Sequence, residues 1–310
     1  MRIAIIGQQD FGKAVLEAFL ARGDQIVGVF CAPEKEGAKA DPLKAAALEK
    51  GLKVFQFQTL RAPEAHDAMK SLDADLGIMA FVLQFAPDSL VRIPKNGTIQ
   101  YHPSLLPKYR GPSSINWPII KGETRTGLTI FRPTEGLDEG PVILQKETPI
   151  GPDDTLGTVY FDRLFPMGVQ ALLEAADLVA AGKHRETVQD ESRASYEGWC
   201  RAPEARIHWA NHVDFVYNLI RGTNPAPGAW TTLHGRKIQI FDARKHVFRT
   251  FGAVQGKVGE VSEVTGTGFF VTAQGGRIEV LRAKAEDGKK VAASELAAAV
   301  GLAPGTMLGT

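Results

Sequence analysis

Arg2-Ile3-Ala4-Ile5-Ile6-Gly7, then Phe11 to Leu20, then Gln25 to Cys31: these three stretches decide the fold. The first is a short apolar run with the length of a buried strand. In the second, Phe11, Val15, Leu16, Phe19 and Leu20 recur at helical spacing, and Arg22-Gly23-Asp24 stops the helix before a second strand. Strand, helix and strand in such short order form a βαβ unit, which predicts a mostly parallel, doubly wound sheet with helices on both faces. The alternation continues. Asp41-Pro42 opens another helix, with Asp41 as N-cap and Pro42 at the first helical position, where its missing N–H does no harm, and Gly51 ends it. Strands follow near Val54, at Leu76 to Phe81 and at Gly97 to Tyr101. A strand pair, Gly127 to Phe131 and Val142 to Thr148, precedes a long helix that runs from beyond Asp154 to about Ala181.

The character of the chain then changes. Residues 1–183 read as the α/β domain, and 184–205 as a polar connection on the surface, broken by Gly198 and Pro203. Residues 206–310 read as a second domain with one helix, His212 to Arg221. Five strands follow it, at Ala229 to Leu233, Lys237 to Phe241, Gly256 to Val261, Gly268 to Thr272 and Arg277 to Leu281, which predicts a small OB-like β-barrel.

Composition sets the boundaries of function. With 44% hydrophobic and 23% charged residues in 310, the chain is globular and not disordered or collagenous. No apolar run reaches the roughly 18 to 20 residues of a membrane span, and the N-terminal run is too short for a signal peptide. A cytoplasmic protein with no membrane partner is expected. Cys31 and Cys200 lie far apart and are read as reduced thiols. The net charge is +1, but residues 205–310 carry an excess of about five positive charges, which predicts an anionic partner for that part.

Several motifs are tested and set aside. Gly7-Gln8-Gln9-Asp10-Phe11-Gly12 lacks the glycine that lets a backbone approach a pyrophosphate, so NAD is not expected, and no Walker pattern is present. His208 and His212 stand four apart as in a zinc helix, but the glutamate base and a third ligand are missing, so a helix start is expected and no metal. Lys183-His184-Arg185 and Arg244-Lys245-His246 read as solvated basic surface.

The segment that carries chemistry is Gln100-Tyr101-His102-Pro103-Ser104-Leu105-Leu106-Pro107-Lys108-Tyr109-Arg110-Gly111. It begins at the carboxyl end of a predicted strand, where open α/β sheets bind ligands. His102 taken alone reads more readily as a surface loop histidine. A partner is available in Asp138, within Glu135-Gly136-Leu137-Asp138-Glu139-Gly140, which could accept from one imidazole nitrogen while the other faces a reacting group.

On these residues the chain resembles the folate-dependent formyltransferases. That family has Asn-x-His followed by Pro-Ser-Leu-Leu-Pro and, 36 residues after the His, an Asp in a Gly-Leu-Asp-x-Gly loop; His102 and Asp138 keep that separation. Ala40-Asp41-Pro42-Leu43, Gln84-Phe85-Ala86-Pro87, Tyr101-His102-Pro103, Ile115-Asn116-Trp117 and Tyr196-Glu197-Gly198 are similar to the hydrolase domain of 10-formyltetrahydrofolate dehydrogenases. Ile220-Arg221 and Asn224-Pro225-Ala226-Pro227-Gly228-Ala229-Trp230-Thr231 are similar to methionyl-tRNA formyltransferases. The resemblance implies a Rossmann-like formyltransferase domain before the barrel and 10-formyltetrahydrofolate as formyl donor.

It further implies that His102 hydrogen-bonds or protonates the developing charge, that Asp138 orients the imidazole and a water, and that Gln100 donates a second hydrogen bond. The pterin would lie between Leu83, Gln84 and Phe85 and the loop Glu135, Gly136, Leu137 and Asp138; for Leu83 and Phe85, ordinary core packing is the alternative. One departure bears on the acceptor. Gln100 stands where the transferases have Asn, and the added methylene, roughly 1.5 Å of reach, requires the oxyanion contact to be rebuilt. With the hydrolase-like stretches this favours water as acceptor. The C-terminal domain favours an amine, on methionyl-tRNA or an aminosugar nucleotide, although the loop Ala32 to Ala40 has no net charge, unlike the basic loop of the tRNA enzymes. A folate- or RNA-binding module without catalysis is the competing class, against which the His102 and Asp138 pair counts.

Overall fold

The computed structural model describes residues 1–249 and 256–309; residues 250–255 and Thr310, both within the expected second domain, lie outside the described residues. The chain divides into two compact units, one of residues 1–111, 127–148 and 163–196, the other of 112–126, 149–162 and 197–310.

The first unit is built on a seven-stranded sheet. In chain order its elements are β1 (Arg2–Gly7), α1 (Gln9–Ala21), β2 (Gln25–Phe30), α2 (Pro42–Glu49), β3 (Val54–Phe55), α3 (Pro63–Ser71), β4 (Leu76–Ala80), α4 (Asp88–Val91) and β5 (Thr98–His102). After α5 (Asn116–Ile120) come β6 (Arg125–Phe131) and β7 (Val142–Pro149). The strand order is β3-β2-β1-β4-β5-β6-β7, parallel from β3 to β5 and antiparallel between β5 and β6. Alternate residues of β1 feed different cores. Ile3 and Ile5 pack with Phe11, Val15 and Leu16 of α1, while Ala4 and Ile6 pack with Phe30, Met69 and Met79 on the other face. A sheet covered on both faces needs apolar side chains in both directions, which is why β1 reads as an unbroken apolar run.

The order reverses between β1 and β4, and open α/β sheets bind ligands beyond the carboxyl ends of their strands at such a point. The two ends are drawn close: a Cβ on Gly7 would stand 2.2 Å from the Ala80 carbonyl oxygen, so only glycine fits there. Asp41 caps α2 by accepting from the Leu43 N–H, and its carboxylate also takes the N–H of Gln9, which sits at φ +61° at the start of α1. The long helix expected after Asp154 forms in pieces. α6 (Leu156–Val159) passes through one π turn, Tyr160–Leu164, into α7 (Phe165–Ala180). Pro166 explains the break, because it has no N–H for the ladder and its ring crowds the carbonyl four residues earlier.

The second unit takes in α5 and, later in the chain, α6 (Leu156–Val159), and among its described residues it holds α8 (Val213–Gly222) and eight strands, three more than the five expected: β8 (Ala229–Leu233), β9 (Arg236–Ile240), β10 (Ala243–Val247), β11 (Val261–Val264), β12 (Phe269–Ala273), β13 (Gly276–Val280), β14 (Arg282–Ala285) and β15 (Val291–Ala292), followed by α9 (Ala293–Ala299). They form two antiparallel sheets, β10-β13-β12-β11 and β15-β14-β9-β8. The strand expected at 256–261 lies at Val261–Val264. Two strands bend from one sheet into the other: β9 runs into β10 and β13 into β14, and at the corner Phe241 N–H donates to the Arg282 carbonyl and Leu281 N–H to that of Asp242. At the open edges, Leu308 N–H bonds the Gly259 carbonyl and Gly309 N–H that of Thr232 at the end of β8. This chain-end segment spans the two edges and spares their backbone groups from exposure. His212 accepts from the Asp214 N–H as N-cap of α8, the helix start expected in place of a metal ligand. Among the described residues no helix is long and apolar enough to cross a membrane.

Glu34, in the loop before α2, ties that loop down through Lys44 Nζ at 2.8 Å, Gln56 Nε2 at 2.9 Å and the Asp41 N–H at 3.1 Å. The Lys44 hydrogen bond foremost, then that of Gln56, holds its carboxyl down at about 2, below the ordinary 4.5. A depressed folded value stabilises the fold fully above 4.5 and loses that contribution as pH falls towards 2. Denaturation measured through this window should show wild-type stability falling more steeply than that of Glu34→Gln, which has no such proton to take up.

Candidate active site

His102 is the last residue of β5 and is buried. Side chains alternate along a strand, so Gln100 shares its face while Tyr101 points the other way, where its ring stacks on Phe11 at 4.4 Å. Gln100 is half-buried and lies between Met79 of β4 and Phe131 of β6 in register.

The loop after His102 folds back onto the strand that supplies it. Thr129 Oγ1 of β6 donates to the Ser104 carbonyl at 2.7 Å and accepts the Leu106 N–H at 3.1 Å. Gln145 Nε2 of β7 donates to the Leu106 carbonyl and to Thr129 Oγ1. The Leu106-Pro107 peptide is cis. The Thr129 and Gln145 bonds turn the loop back, and the Tyr109 carbonyl stands 2.8 Å from His102 Nε2. A carbonyl only accepts, so Nε2 carries the proton of this bond and Nδ1 is the nitrogen left for other work.

Nδ1 faces Asp138, whose Oδ2 lies 3.6 Å away, and both side chains are buried. This is ion-pair range and too long for a direct hydrogen bond. The structure thus brings the two expected residues together, with one difference. The nitrogen turned away from Asp138 is taken by Tyr109 and does not face open space, so Nδ1 faces both the carboxylate and any reacting group. Asp138 stands at φ +54°, a left-handed conformation that aspartate tolerates better than most residues, and its Oδ2 accepts the Gly111 N–H at 2.9 Å. The loop is tight: a Cβ on Gly140 would stand 1.7 Å from the Arg132 carbonyl oxygen.

The residues expected to hold a flat ligand follow β4. Leu83 is 58% exposed, Phe85 41% and Leu137 55%, so core packing does not account for them. Their backbone is nonetheless pinned. Gln84 Nε2 donates to the Phe57 and Gln58 carbonyls, and Glu135 accepts the Asp88 N–H at 2.8 Å, joining the two loops. Arg61 lies over the Phe85 ring at 4.5 Å. Apolar side chains held out of the core on anchored loops make a surface for a ring system. Gly136 lies in the same acidic turn, where a Cβ would meet the Glu139 carboxylate. Among the described residues no three His, Cys, Asp or Glu side chains gather as a metal-holding group.

Sequence reasoning missed four members of the site. Tyr109 and Gly111 act through backbone groups, which residue type does not reveal. Thr129 and Gln145 are polar residues on strands, with no spacing to mark them.

A doubly wound sheet with a buried His at the carboxyl end of a central strand and a buried Asp facing it, followed in the chain by antiparallel sheets, defines the class: an α/β enzyme. Residues 1–176 match the family model described as formyl transferase, and residues 201–301 that described as formyl transferase, C-terminal domain. The chain belongs to the formyl transferase family. It is 38% identical over 307 residues to cytosolic 10-formyltetrahydrofolate dehydrogenase of Xenopus laevis, covering 95% of this chain and 34% of that protein. The chain thus spans about a third of the length of the curated relatives it first matches. It is also 35% identical over 312 residues to methionyl-tRNA formyltransferase of Syntrophus aciditrophicus (strain SB), covering 99% and 98% of the two chains. Among solved structures, an N-formyltransferase from Helicobacter canadensis in complex with folinic acid and dTDP-3-aminofucose has a TM-score of 0.69 at 18% identity, covering 91% of this chain and 99% of that one. That likeness is one of fold.

Thr129 is fully buried and makes three of the bonds that set the loop. Thr129→Val keeps its shape and strands the Ser104 carbonyl and Leu106 N–H, so denaturant unfolding should show a loss of about 1–3 kcal/mol.

Proposed function

We propose that this chain cleaves the formyl group from 10-formyltetrahydrofolate and passes it to water, releasing formate and tetrahydrofolate. The observation that carries the reading is the buried His102 Nδ1 and Asp138 carboxylate, 3.6 Å apart, with Gln100 on the same face of β5. The folate ring would lie along Leu83, Gln84 and Phe85 and the turn from Glu135 to Asp138.

The chemistry needs three things: a nucleophile freed of a proton, stabilisation of a tetrahedral oxyanion, and a proton for the departing N10. Because Nε2 holds its proton on the Tyr109 carbonyl, neutral His102 presents a lone pair at Nδ1. A water oxygen adds to the formyl carbon while Nδ1 takes the water proton. The imidazolium so formed faces the Asp138 carboxylate, which stabilises it. The Gln100 amide donates to the oxyanion. The C–N10 bond then breaks, and the Nδ1 proton goes to N10. Formic acid leaves and ionises to formate.

Two observations favour water. Gln100 stands where an amine-directed site would have Asn, and the loop Ala32 to Ala40, which would need to be basic for tRNA, carries no net charge. An amine acceptor is the second reading, favoured by the match along the whole of a methionyl-tRNA formyltransferase. Tetrahydrofolate formation assayed with and without methionyl-tRNA or an aminosugar nucleotide separates the two: a rate unchanged by either amine supports water.

His102→Ala should lower turnover by roughly 10²- to 10⁴-fold while folate binding stays within a few fold, and Asp138→Asn should do the same at normal thermal stability. Unchanged turnover in folded His102→Ala would remove the histidine from the mechanism. A change in melting temperature alone would make Asp138 a structural loop residue.

Gln100→Asn tests the acceptor. If the longer amide suits water, the shorter one should raise formylated amine relative to formate when both products are measured in one reaction. If an amine is the native acceptor, the same change should misplace the oxyanion donor and cut transfer roughly 10- to 1000-fold.

A further inference from the structure

Gln189 lies in the polar stretch 184–205, where no α-helix or paired strand forms, and the expectation of a connection lying wholly on the surface fails at this residue. It is 6% exposed. Its Nε2 donates to the carbonyls of Asp138 and Gly140, both at 2.8 Å. Its Oε1 accepts from Arg110 Nε at 3.2 Å and Nη2 at 2.8 Å. An amide has two hydrogens and two lone pairs, and all four are engaged.

The two things that Gln189 joins are the two things that set the candidate site. On one side is the turn holding Asp138 at φ +54°. On the other is Arg110, whose neighbours supply the contacts already described: the Tyr109 carbonyl fixes His102 Nε2, and the Gly111 N–H fixes Asp138 Oδ2. The same stretch secures Arg110 at further points. Glu191 pairs with its guanidinium at 2.6 and 2.9 Å, a bond that raises the Arg110 value and lowers that of Glu191. Ser195 accepts the Tyr109 N–H through Oγ and the Arg110 N–H through its carbonyl.

We propose that Gln189 is a positioning residue that sets the Asp138 carboxylate against His102 Nδ1 through its bridge from Arg110 to the Asp138–Gly140 backbone. It touches neither reacting group and acts through Asp138. The inference rests on the reading of Asp138 as part of the formyl-cleaving site. Preorganised groups lose effect steeply with small displacements, and a misplacement of about 1 Å costs on the order of 10²-fold in rate.

Gln189→Glu separates holding from folding. The carboxylate keeps, and charges, the partnership with Arg110, but it cannot donate, so the carbonyls of Asp138 and Gly140 lose both bonds. The expected result is kcat for 10-formyltetrahydrofolate cleavage lowered by about 10²-fold with KM within about twofold, in a protein that still folds although its melting temperature falls, since two buried carbonyls lose their donor. In an Asp138→Asn background the same substitution should cost nothing further, because residues that act as one are not additive. In the ligand-free protein the His102 ring nitrogen NMR signals should shift at fixed pH. Wild-type kcat in Gln189→Glu, or a loss that adds in full to that of Asp138→Asn, overturns the proposal and leaves the site reading standing. Wild-type kcat in Asp138→Asn removes the site reading itself, and the proposal with it. Should Gln189→Glu fail to fold, Arg110→Lys keeps the charge near Glu191 but loses the two-point grip on Gln189. Its kcat should then fall at constant KM, and an unchanged kcat overturns the proposal.

Discussion

The hydrogen bond from His102 Nε2 to the Tyr109 carbonyl is the constraint on which the rest of the site depends. It settles which imidazole nitrogen keeps its proton on a carbonyl and which is left facing Asp138, and it can form only if the eight residues from His102 to Tyr109 turn back on themselves. That return needs anchors, which Thr129 and Gln145 supply from the neighbouring strands β6 and β7. In the sheet β6 lies antiparallel beside β5, and β7 lies beyond β6. The setting of one nitrogen therefore draws on strands up to two places away in the sheet. The opposite face of β5 is held as firmly: Tyr101 stacks on Phe11, and a Cβ on Gly168 of α7 would stand 2.5 Å from its ring. The strand that aims His102 has little room to shift.

Much of this was legible in the amino-acid sequence where a residue's type and its structural role coincide. The βαβ start, the Asp41 cap with Pro42 behind it, and the His212 cap all rest on local physics, and each stands where local physics puts it. The strands of the second unit were legible only where they alternate apolar and polar. Ala243-Arg244-Lys245-His246-Val247 and Arg282-Ala283-Lys284-Ala285 carry too little apolar character to read as strands, and β15 has only two residues. What makes them strands is pairing: β10 takes its ladder from β13, and β14 from β9. Propensity gives way to tertiary context in such places.

At the candidate site the same division holds. His102 and Asp138 show themselves by type, and the separation between them is one that the family resemblance implies. The residues that hold them act through carbonyls, N–H groups and one isolated glutamine, and no pattern of residue types records a backbone bond. Leu83, Phe85 and Leu137 posed the opposite difficulty. Apolar residues near a strand end read equally as core or as contact surface, and only their exposure, joined to the pinned backbone of Gln84 and Glu135, distinguishes the two.

Charge is where counting misleads most. The excess of about five positive charges over residues 205–310 invites a polyanionic partner. Many of those cations already have partners. Lys245 bonds Asp214 at 2.5 Å, Arg277 pairs with Glu263 and lies over Phe270, and Arg282 and Lys290 both face Asp242. Arg206 and Lys237 lie over the Trp230 ring. Arg221 is buried, and that burial pulls it below the usual arginine range while the Gly151 and Asp154 carbonyls accept its N–H groups. A nucleic-acid surface works by neutralising phosphates and releasing their counterions, so a cation already held by a carboxylate or a carbonyl contributes less to it. Water, the proposed acceptor, asks nothing of this surface, and the proposed step draws on His102, Asp138 and Gln100 alone. The positive count of the second unit therefore adds less weight to a tRNA acceptor than its arithmetic suggests, and the choice of acceptor falls back on position 100.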